Sequence, residues 1–532
     1  MKKTLGSYLI ELLEVYGVQH VFGIPGVHNL ELYRGLARSR IRHITGRHEQ
    51  GLGFMADGYA RVAGRPGVCF TITGPGLTNI ATALGQAYGD SIPLLVISSE
   101  NRAAEIGTGR GFLHEMPEQL GVAARVTGLS RRLTRAEELP EIIAQAFACM
   151  TGGRPRPAYV EIPRDLMTAD ASAMPAPSAA RVIRPTEPAA AIAAAAQRLR
   201  DASAPVILAG GGALGAAVPL RELAERLGAP MVMTINARGI LPPDHPLCVA
   251  MSPSLSAVRE LIAAADVILA VGTELGPTDY DMYGLSEFPQ PHYLIRIDID
   301  ADQLKRNAHA HQALRADAAP AIEALLALDL GPAHTQAGVA RALDARTRAL
   351  GELTPAMRRQ LEFLDLIRDT LPQVLLVGDS TQAVYAGNLG FAAATPGSWF
   401  NSATGYGTLG YALPAATGAG LAAPERPVVC LVGDGGIQFS LGELAVPRDV
   451  DAWLAIVIWN NRGYGEIKTS MLAVGIDPVG VDVRPPDFSQ IARAYGYPYL
   501  LIDSMESLRR ALVAFGTRRQ VVVLEVTGEN FE

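Results

Sequence analysis

Two apolar, β-branched runs, each ending in a polar turn, constrain this chain more than any other feature. Val428–Val432 precedes Gly433-Asp434-Gly435, and Leu454–Trp459 precedes Asn460-Asn461-Arg462-Gly463. We interpret both runs as buried strands. The 24 residues between the two turns suffice for a helix, beginning near Leu441, that returns the chain to a parallel neighbouring strand. Both turns are therefore expected at the carboxyl edge of one sheet.

The polar groups of these turns have the chemistry of a site for a hard cation. The carboxylate of Asp434, one asparagine amide oxygen and a free backbone carbonyl would converge there. Mg²⁺ and Ca²⁺ prefer such oxygen ligands, and places would remain for a substrate phosphate. The glycines allow a diphosphate to approach the backbone. Two ordinary strand-to-loop turns of an α/β protein are the alternative interpretation.

Length and composition indicate a globular protein of several domains. The 532 residues suggest about three domains, and 49% hydrophobic residues with 19% charged residues provide an ample core. The net charge of −7 argues against nucleic-acid binding and fits poorly with an anionic membrane surface. We expect no signal peptide and no transmembrane helix. The four widely spaced cysteines favour reduced thiols and a cytoplasmic protein.

Helices and strands alternate along the chain, which predicts an α/β protein with doubly wound parallel sheets. We predict domains over residues 1–170, 188–332 and 337–532. An Ala-, Pro- and Ser-rich segment at Asp170–Pro188 and a junction at Leu330–Gln336 separate them. Gly210–Gly215 formally fits a dinucleotide-binding GxGxxG motif, but no acidic residue is placed to hold a ribose. A simple glycine turn is the preferred interpretation there.

The pair of turns, GDG followed by NN, resembles the fingerprint of thiamine diphosphate enzymes, and the whole chain resembles the acetolactate synthase group. Three more segments carry the resemblance: Arg47–Arg61 (RHEQGLGFMADGYAR), Gly74–Asn79 (GPGLTN) and Tyr406–Gly410 (YGTLG). The resemblance implies a pyrimidine-binding, a central and a diphosphate-binding domain. It also implies a site between the first domain of one subunit and the third domain of another. A homodimer would then be the minimum unit, and a homotetramer is usual in the family.

The resemblance assigns roles residue by residue. Mg²⁺ would be held by Asp434, by the second asparagine of the pair, Asn461, and by the carbonyl of Gly463. Glu49 would share a proton with the coenzyme pyrimidine and make the coenzyme reactive. Leu409 would separate the two coenzyme rings. The other predicted cofactor-binding residues are Gly26, Gly74, Asn79, Thr381, Gln382, Gly407, Gly433, Gly435, Gly436 and Tyr464.

The implied reaction is loss of CO₂ from a 2-oxo acid, followed by protonation to an aldehyde or by addition to a second carbonyl compound. Acetolactate synthases typically have FQE where this chain has Leu113-His114-Glu115. A histidine suits proton delivery, and we predict a catalytic role for His114. A solvated or structural loop histidine is the alternative. The segment Ala250–Pro253 lacks the Gly- and His-containing pattern of synthases that hold FAD, which argues against FAD. Both differences favour a decarboxylase.

One subgroup, the 5-guanidino-2-oxopentanoate decarboxylases of arginine breakdown, shares further stretches with this chain. These stretches are Phe22–His28, Leu30–Gly35, Leu113–Glu115 and Gly276–Asp281. A guanidinium tail would need a carboxylate in fork geometry. The candidates are Glu115, Glu118, Glu466 and Asp477, of which Glu115 and Glu466 are assigned to the substrate site. The alternatives are an acetolactate synthase-type carboligase, a catalytically inactive binding protein with the same fold, and a flavin oxidase.

Overall fold

Three six-stranded sheets with interleaved helices confirm the predicted α/β architecture. The computed structural model describes residues 3–282, 284, 288–289 and 291–531. The predicted domain limits at residues 1 and 532 lie outside these residues, and the remaining limits stay predictions.

The first sheet carries the N-terminal strands in the spatial order β2-β1-β3-β4-β6-β5. They are β1 (His20–Gly23), β2 (Arg42–Thr45), β3 (Gly67–Thr71), β4 (Leu94–Glu100), β5 (Leu129–Arg132) and β6 (Ala158–Pro163). The helices are α1 (Leu5–Val15), α2 (Leu30–Leu36), α3 (Glu49–Ala63), α4 (Pro75–Asp90), α5 (Gln119–Ala123), α6 (Leu139–Thr151) and α7 (Arg164–Met167). Strands β3, β4 and β6 are buried throughout, as expected when helices cover both faces of a parallel sheet. The sequence did not reveal β5, because this edge strand contains two arginines and no apolar run.

The second sheet has the order β12-β11-β10-β7-β8-β9. Its strands are β7 (Val206–Ala209), β8 (Met231–Met233), β9 (Cys248–Val249), β10 (Ile268–Val271), β11 (Leu294–Asp298) and β12 (Gln312–Arg315). Its helices are α8 (Ala189–Arg200), α9 (Ala217–Leu227), α10 (Ser256–Ala263), α11 (Pro277–Tyr280) and α12 (Ala318–Leu326). A Cβ added to Gly210 would lie 2.2 Å from the Gly272 carbonyl oxygen. Close backbone packing therefore accounts for glycine at the start of the GxGxxG stretch.

The third sheet has the order β14-β13-β15-β16-β18-β17. Its strands are β13 (Leu375–Gly378), β14 (Trp399–Asn401), β15 (Val428–Gly433), β16 (Leu454–Asn460), β17 (Tyr499–Ile502) and β18 (Val521–Thr527). The helices in this C-terminal part of the chain are α13 (Thr335–Glu352), α14 (Pro355–Thr370), α15 (Gln382–Gly390), α16 (Ala412–Ala422), α17 (Val446–Asp449), α18 (Gly465–Ala473), α19 (Phe488–Ala494) and α20 (Met505–Thr517). Helix α13 packs beside the second sheet, where Arg341 donates to the carbonyl oxygens of Ala204 and Pro205. Strands β15 and β16, which contain the two apolar runs described above, are neighbours as predicted.

The connection between β15 and β16 is helical where a helix beginning near Leu441 was predicted, but most of it is not α-helical. It is a 3₁₀ stretch, Gly436–Ala445, with non-helical dihedral angles at Ser440, followed by the single turn α17. Glycine and serine within this stretch disfavour a regular α-helix. Other short 3₁₀ helices are Ala136–Glu138, Gly211–Ala216, Ile235–Ala237, Gln303–Lys305, Ser402–Thr404 and Gly528–Phe531.

The chain forms two compact units that do not follow the order of the three sheets. The first unit contains the residues up to Ile183, together with Gly405–Val428 and Gly436–Leu454. The second contains Arg184–Thr404, Val429–Gly435 and the residues from Ala455 onward. Two segments that follow the second sheet in the chain thus belong to the unit of the first sheet.

Helices α3 and α16 form a close pair inside the first unit. A Cβ added to Gly58 would lie 2.0 Å from the carbonyl oxygen of Ala415, and one added to Gly418 would lie 1.8 Å from that of Met55. Glycine on both helices therefore lets the two backbones touch. This contact fixes the segment around α16 against the helix that begins at Glu49.

No helix within the described parts of the chain is both long and apolar enough to cross a membrane.

The α3–α16 contact predicts a large difference between two glycines of one helix. Gly418→Ala should lower the melting temperature, because overpacking at a backbone contact costs about 3 kcal/mol. The matched control is Gly420→Ala, whose added Cβ would meet no atom closer than 3.6 Å. Calorimetric scans of both variants test this, and equal melting temperatures would contradict the packing argument.

Candidate active site

Asp434, Asn461 and Gly463 lie together where β15 and β16 end. The backbone N–H of Asn461 donates to Asp434 Oδ1 at 3.4 Å. One terminal atom of the Asn461 carboxamide, either Oδ1 or Nδ2, lies 2.8 Å from the Gly463 carbonyl oxygen and 3.1 Å from Asp434 Oδ1. The structure therefore brings together the carboxylate, amide and carbonyl that the sequence placed at this sheet edge.

A hydrogen-bond chain decides which carboxamide atom of Asn461 faces these oxygens. Trp459 Nε1 donates to Gln382 Oε1 at 3.0 Å, and Asn461 Nδ2 donates to the same oxygen at 3.1 Å. Asn461 Oδ1 then faces Asp434 and Gly463, and three oxygens so close together repel one another unless a cation lies among them. The reversed amide would donate to both oxygens but would turn an oxygen towards Gln382 Oε1. The indole donor of Trp459 thus favours the orientation that suits a cation.

The ionisation of Asp434 also fits a cation. Its side chain is buried, with 1% relative exposure. Burial raises the pKa of this carboxyl to about 6, although backbone N–H groups around it oppose the shift. In the described part of the chain, no group of three or more His, Cys, Asp or Glu side chains is arranged to hold a metal. A cation here would depend on amide and carbonyl oxygens and on a phosphate, as Mg²⁺ commonly does.

The neighbouring asparagine, Asn460, forms hydrogen bonds with other groups. Asn460 Nδ2 donates to Glu525 Oε1 at 2.6 Å, and Asn460 Oδ1 accepts from the backbone N–H of Arg462 at 3.1 Å. Both ends of its carboxamide are therefore used to hold the turn. This geometry agrees with the choice of Asn461 as the ligand.

The other predicted diphosphate residues cluster around the same strand ends. Gly433 faces Thr381, since an added Cβ would lie 3.3 Å from the Thr381 hydroxyl oxygen. Gly435 packs under the ring of Tyr464, where a Cβ would come within 2.7 Å of the ring. Thr381 is the N-cap residue of α15, and its side chain makes no capping hydrogen bond. Its hydroxyl and the N-terminal N–H groups of α15 could therefore serve an anion. Gly436 begins the 3₁₀ stretch after β15.

Glu49 is the first residue of α3 and is half-buried. Asn79 Nδ2, from the fifth residue of α4, donates to Glu49 Oε2 at 2.9 Å. The GPG-x-TN turn predicted to line the pocket therefore holds the predicted catalytic carboxylate directly. In the loop after β1, Gly26 packs on Ile72, where an added Cβ would lie 2.5 Å from the side chain.

The segment that contains Gly407 and Leu409 is tied to the first unit by buried polar contacts. Gln86 Oε1 accepts from the Thr408 hydroxyl at 3.1 Å, and the Tyr411 hydroxyl donates to Asp57. Gly407 has a φ of +76°, which favours glycine, and Leu409 is half-buried. Sequence reasoning missed Gln86, Asp57 and Tyr411, because their partners are distant in the chain.

His114 is held in a strained backbone conformation. Its φ is +61°, an uncommon value for a residue other than glycine. Its ring contacts the buried His28 edge-on at 5.2 Å between centroids, and His28 shares a hydrogen bond of 3.0 Å with Thr73. A Cβ on Gly74 would lie 2.5 Å from the His114 carbonyl oxygen, so glycine is required there. The His114 backbone therefore lies closely over the turn after β3, with its ring beside His28.

Glu115 organises the loop that carries His114. Its carboxylate accepts hydrogen bonds from the backbone N–H groups of Gly109 and Gly111, both at 2.7 Å, and of Phe112 at 3.0 Å. Partial desolvation raises the pKa of Glu115, but these N–H groups outweigh it and lower the pKa overall. In this conformation Glu115 serves the loop backbone, and its assignment to substrate stays a prediction.

Glu466 lies in the first turn of α18, a helix with no buried residue. Its side chain is exposed, and within the described residues it makes no hydrogen bond or ion pair. Glu118 is the N-cap of α5 and accepts from the Gly121 N–H at 3.2 Å. Of the acids proposed for a guanidinium tail, Glu466 and Asp477 are exposed.

Comparisons with known proteins identify three domains of one family along the chain. Residues 3–122 match the N-terminal TPP binding domain of thiamine pyrophosphate enzymes, residues 192–325 the central domain, and residues 378–526 the C-terminal TPP binding domain. Thiamine pyrophosphate is another name for thiamine diphosphate.

Similar proteins match this chain over most of their own length. The chain is 47% identical to a probable 2-ketoarginine decarboxylase, AruI, of Pseudomonas aeruginosa, over 98% of this chain and 94% of that protein. It is 32% identical to the large subunit of acetolactate synthase isozyme 1 of Escherichia coli, over 93% and 88%. It is 29% identical to an acetolactate synthase of Arthrospira platensis, over 99% and 94%. The predicted resemblance is thus confirmed, and this chain belongs to the thiamine pyrophosphate enzyme family.

Proposed function

We propose that the protein is a thiamine diphosphate- and Mg²⁺-dependent decarboxylase of a 2-oxo acid, and that 5-guanidino-2-oxopentanoate, or 2-ketoarginine, is its substrate. The observation that carries the proposal is the 47% identity, over nearly the whole chain, to a probable 2-ketoarginine decarboxylase. Acetolactate synthases are about 30% identical, so a carboligase is the second candidate.

Bound thiamine diphosphate would supply a carbon nucleophile for the 2-oxo group and accept the electron pair released with CO₂. Asp434, Asn461 and Gly463 would hold Mg²⁺, and Thr381 with the N-terminus of α15 would bind the diphosphate. Leu409 would fix the coenzyme conformation. Glu49, held by Asn79, would exchange a proton with the pyrimidine nitrogen.

His114 would deliver the proton that completes aldehyde formation. Its fixed position between His28 and Gly74 supports this role, because proton transfer requires a donor at a defined distance. Addition to a second carbonyl compound competes with this protonation. A well-placed proton donor therefore favours release of the aldehyde.

The guanidinium tail of the substrate would need a carboxylate that is not already engaged. Glu466 meets this condition and is five residues after Asn461, close in sequence to the proposed Mg²⁺ ligands. We infer that Glu466, rather than Glu115, pairs with the tail.

We further propose a homodimer as the minimum active unit, a homotetramer as the assembly, and a cytoplasmic location. The resemblance to the family supports the assembly, since in that family the site lies between two subunits. The four free cysteines suit a reducing compartment.

Glu49→Gln should retain thiamine diphosphate but lose activity by a factor of about 10² or more, since glutamine cannot exchange the proton. Coenzyme affinity from tryptophan fluorescence and CO₂ release together test this. The exposed Glu137→Gln is the control and should remain fully active. Near-normal turnover of the Glu49 variant would refute the role.

Two adjacent asparagines give a matched test of the Mg²⁺ site. Asn461→Ala and Asp434→Ala should weaken Mg²⁺-dependent retention of thiamine diphosphate by about 10²-fold, because each removes a ligand. Asn460→Ala should weaken retention much less, by no more than about 10-fold, since Asn460 supports the turn but contributes no ligand. Equilibrium dialysis across a range of Mg²⁺ concentrations measures this, and equal effects of the two asparagine variants would contradict the assignment.

A screen of 2-oxo acids tests the reaction and the role of His114. The wild-type protein should release CO₂ and aldehyde in equal amounts, fastest with 5-guanidino-2-oxopentanoate. His114→Gln, which introduces the residue typical of synthases, should slow aldehyde release by about 10²-fold. Acetolactate without aldehyde from pyruvate and wild-type protein would instead support the carboligase.

A further inference from the structure

A buried carboxylate outside the predicted site contacts the chain immediately before Glu49. Glu443 is 2% exposed, and it lies in the 3₁₀ stretch after β15. Its Oε1 accepts hydrogen bonds from the backbone N–H groups of His48 at 2.8 Å and of Arg47 at 3.0 Å. Glu443 and Arg47 are 396 positions apart in the chain. Tertiary folding thus supplies an acceptor to the N–H groups that precede α3.

The carboxylate of Glu443 fits closely against this backbone. A Cβ added to Gly51, in the first turn of α3, would lie 2.5 Å from Glu443 Oε1. A Cβ added to Gly46 would lie 2.5 Å from the side chain of Leu52 and 3.5 Å from Glu443 Oε2. Glycine on both sides of Glu49 therefore leaves room for the carboxylate. At Gly51 a larger residue would displace the Glu443 carboxylate, whereas at Gly46 it would clash with Leu52.

The pKa of the Glu443 carboxyl is raised overall, mainly by burial, and the groups that surround it act in both directions. Burial raises the pKa of Glu443, while the N–H groups of Arg47 and His48 and the Arg47 guanidinium lower it, and Glu49 raises it further. Arg47 also pairs with Asp449 at 2.8 Å on the exposed side. Two carboxylates, Glu443 and Glu49, thus lie near one helix start, where N–H groups and a cation favour negative charge.

We propose that Glu443 is a positioning residue for Glu49. Glu443 fixes the backbone one residue before Glu49, and Asn79 fixes its carboxylate. With both ends held, Glu49 has one orientation instead of several rotamers, which is the condition for efficient proton exchange with a coenzyme nitrogen. The inference rests on the proposed role of Glu49 and extends it to a residue that does not touch the coenzyme.

The test compares E443A and E443Q by two measurements. Hydrogen exchange of the protein without coenzyme reports the Arg47 and His48 amides, which should lose protection in E443A. Exchange of the coenzyme C2 proton in the protein loaded with thiamine diphosphate and Mg²⁺ should slow by about 10²-fold in E443A. Coenzyme affinity should change by no more than about threefold, because Glu443 does not bind the coenzyme.

E443Q retains an oxygen acceptor and nearly the same shape, so it should recover most of the amide protection and of the C2 exchange rate. D449N, which removes only the exposed partner of Arg47, is the control and should behave as the wild type. If E443A does not fold, the result with E443Q tests the proposal. Protected Arg47 and His48 amides together with a near-normal rate of C2 exchange in E443Q would support the positioning role. Lost protection with a normal C2 rate in either variant overturns it, as does a slow C2 rate with intact protection.

The C2 measurement precedes any choice of substrate, which separates the two proposals. A protein that exchanges the C2 proton in a Glu443-dependent manner but decarboxylates no 2-oxo acid would support the positioning role and refute the decarboxylase. Decarboxylation that is unaffected in E443A would support the decarboxylase and refute the positioning role.

Discussion

Parallel pairing of β15 and β16 is the constraint on which the candidate metal site depends. Strands that run in the same direction end at the same edge, so the residues that follow them meet there although the chain between them is long. Asp434 follows one strand and Asn461 lies directly after the other. The sheet alone does not orient the Asn461 amide. That orientation comes from the indole N–H of Trp459, acting through Gln382.

The first compact unit is organised by buried charge rather than by strand pairing. Arg61 donates to Asp57 at 2.7 Å and to Asp90 at 2.5 Å, and Asp57 also accepts from Tyr411. Burying such groups is costly unless each is paired, so a network of this kind contributes less to stability than to a defined arrangement. Here it fixes the segment of Gly407 and Leu409 against the helix of Glu49, which supports a site that requires precise placement.

Several local features could be predicted because they depend on neighbouring residues. The strands at the sheet centre were predicted from apolar runs, and the choice of Asn461 over Asn460 agrees with the contact between Asn460 and Glu525. Other features could not be predicted. Edge strand β5 has no apolar pattern, and the helix expected from Leu441 is 3₁₀ up to Ala445 and α-helical only over Val446–Asp449. The hydrogen bonds that Glu115 accepts from the N–H groups of its own loop could not be predicted either, and its assignment to the substrate stays a prediction.

The sequence by itself determined the family, the three sheets and the identity of the groups that a coenzyme and a cation would need. These follow from periodicity and from short motifs, in which chemistry and spacing are local properties. Only the tertiary structure decided how those groups are held: Asn79 on Glu49, Trp459 and Gln382 on Asn461, and Glu443 under the start of α3. A buried donor or acceptor must find a partner wherever the fold supplies one, and sequence distance carries no information about that choice.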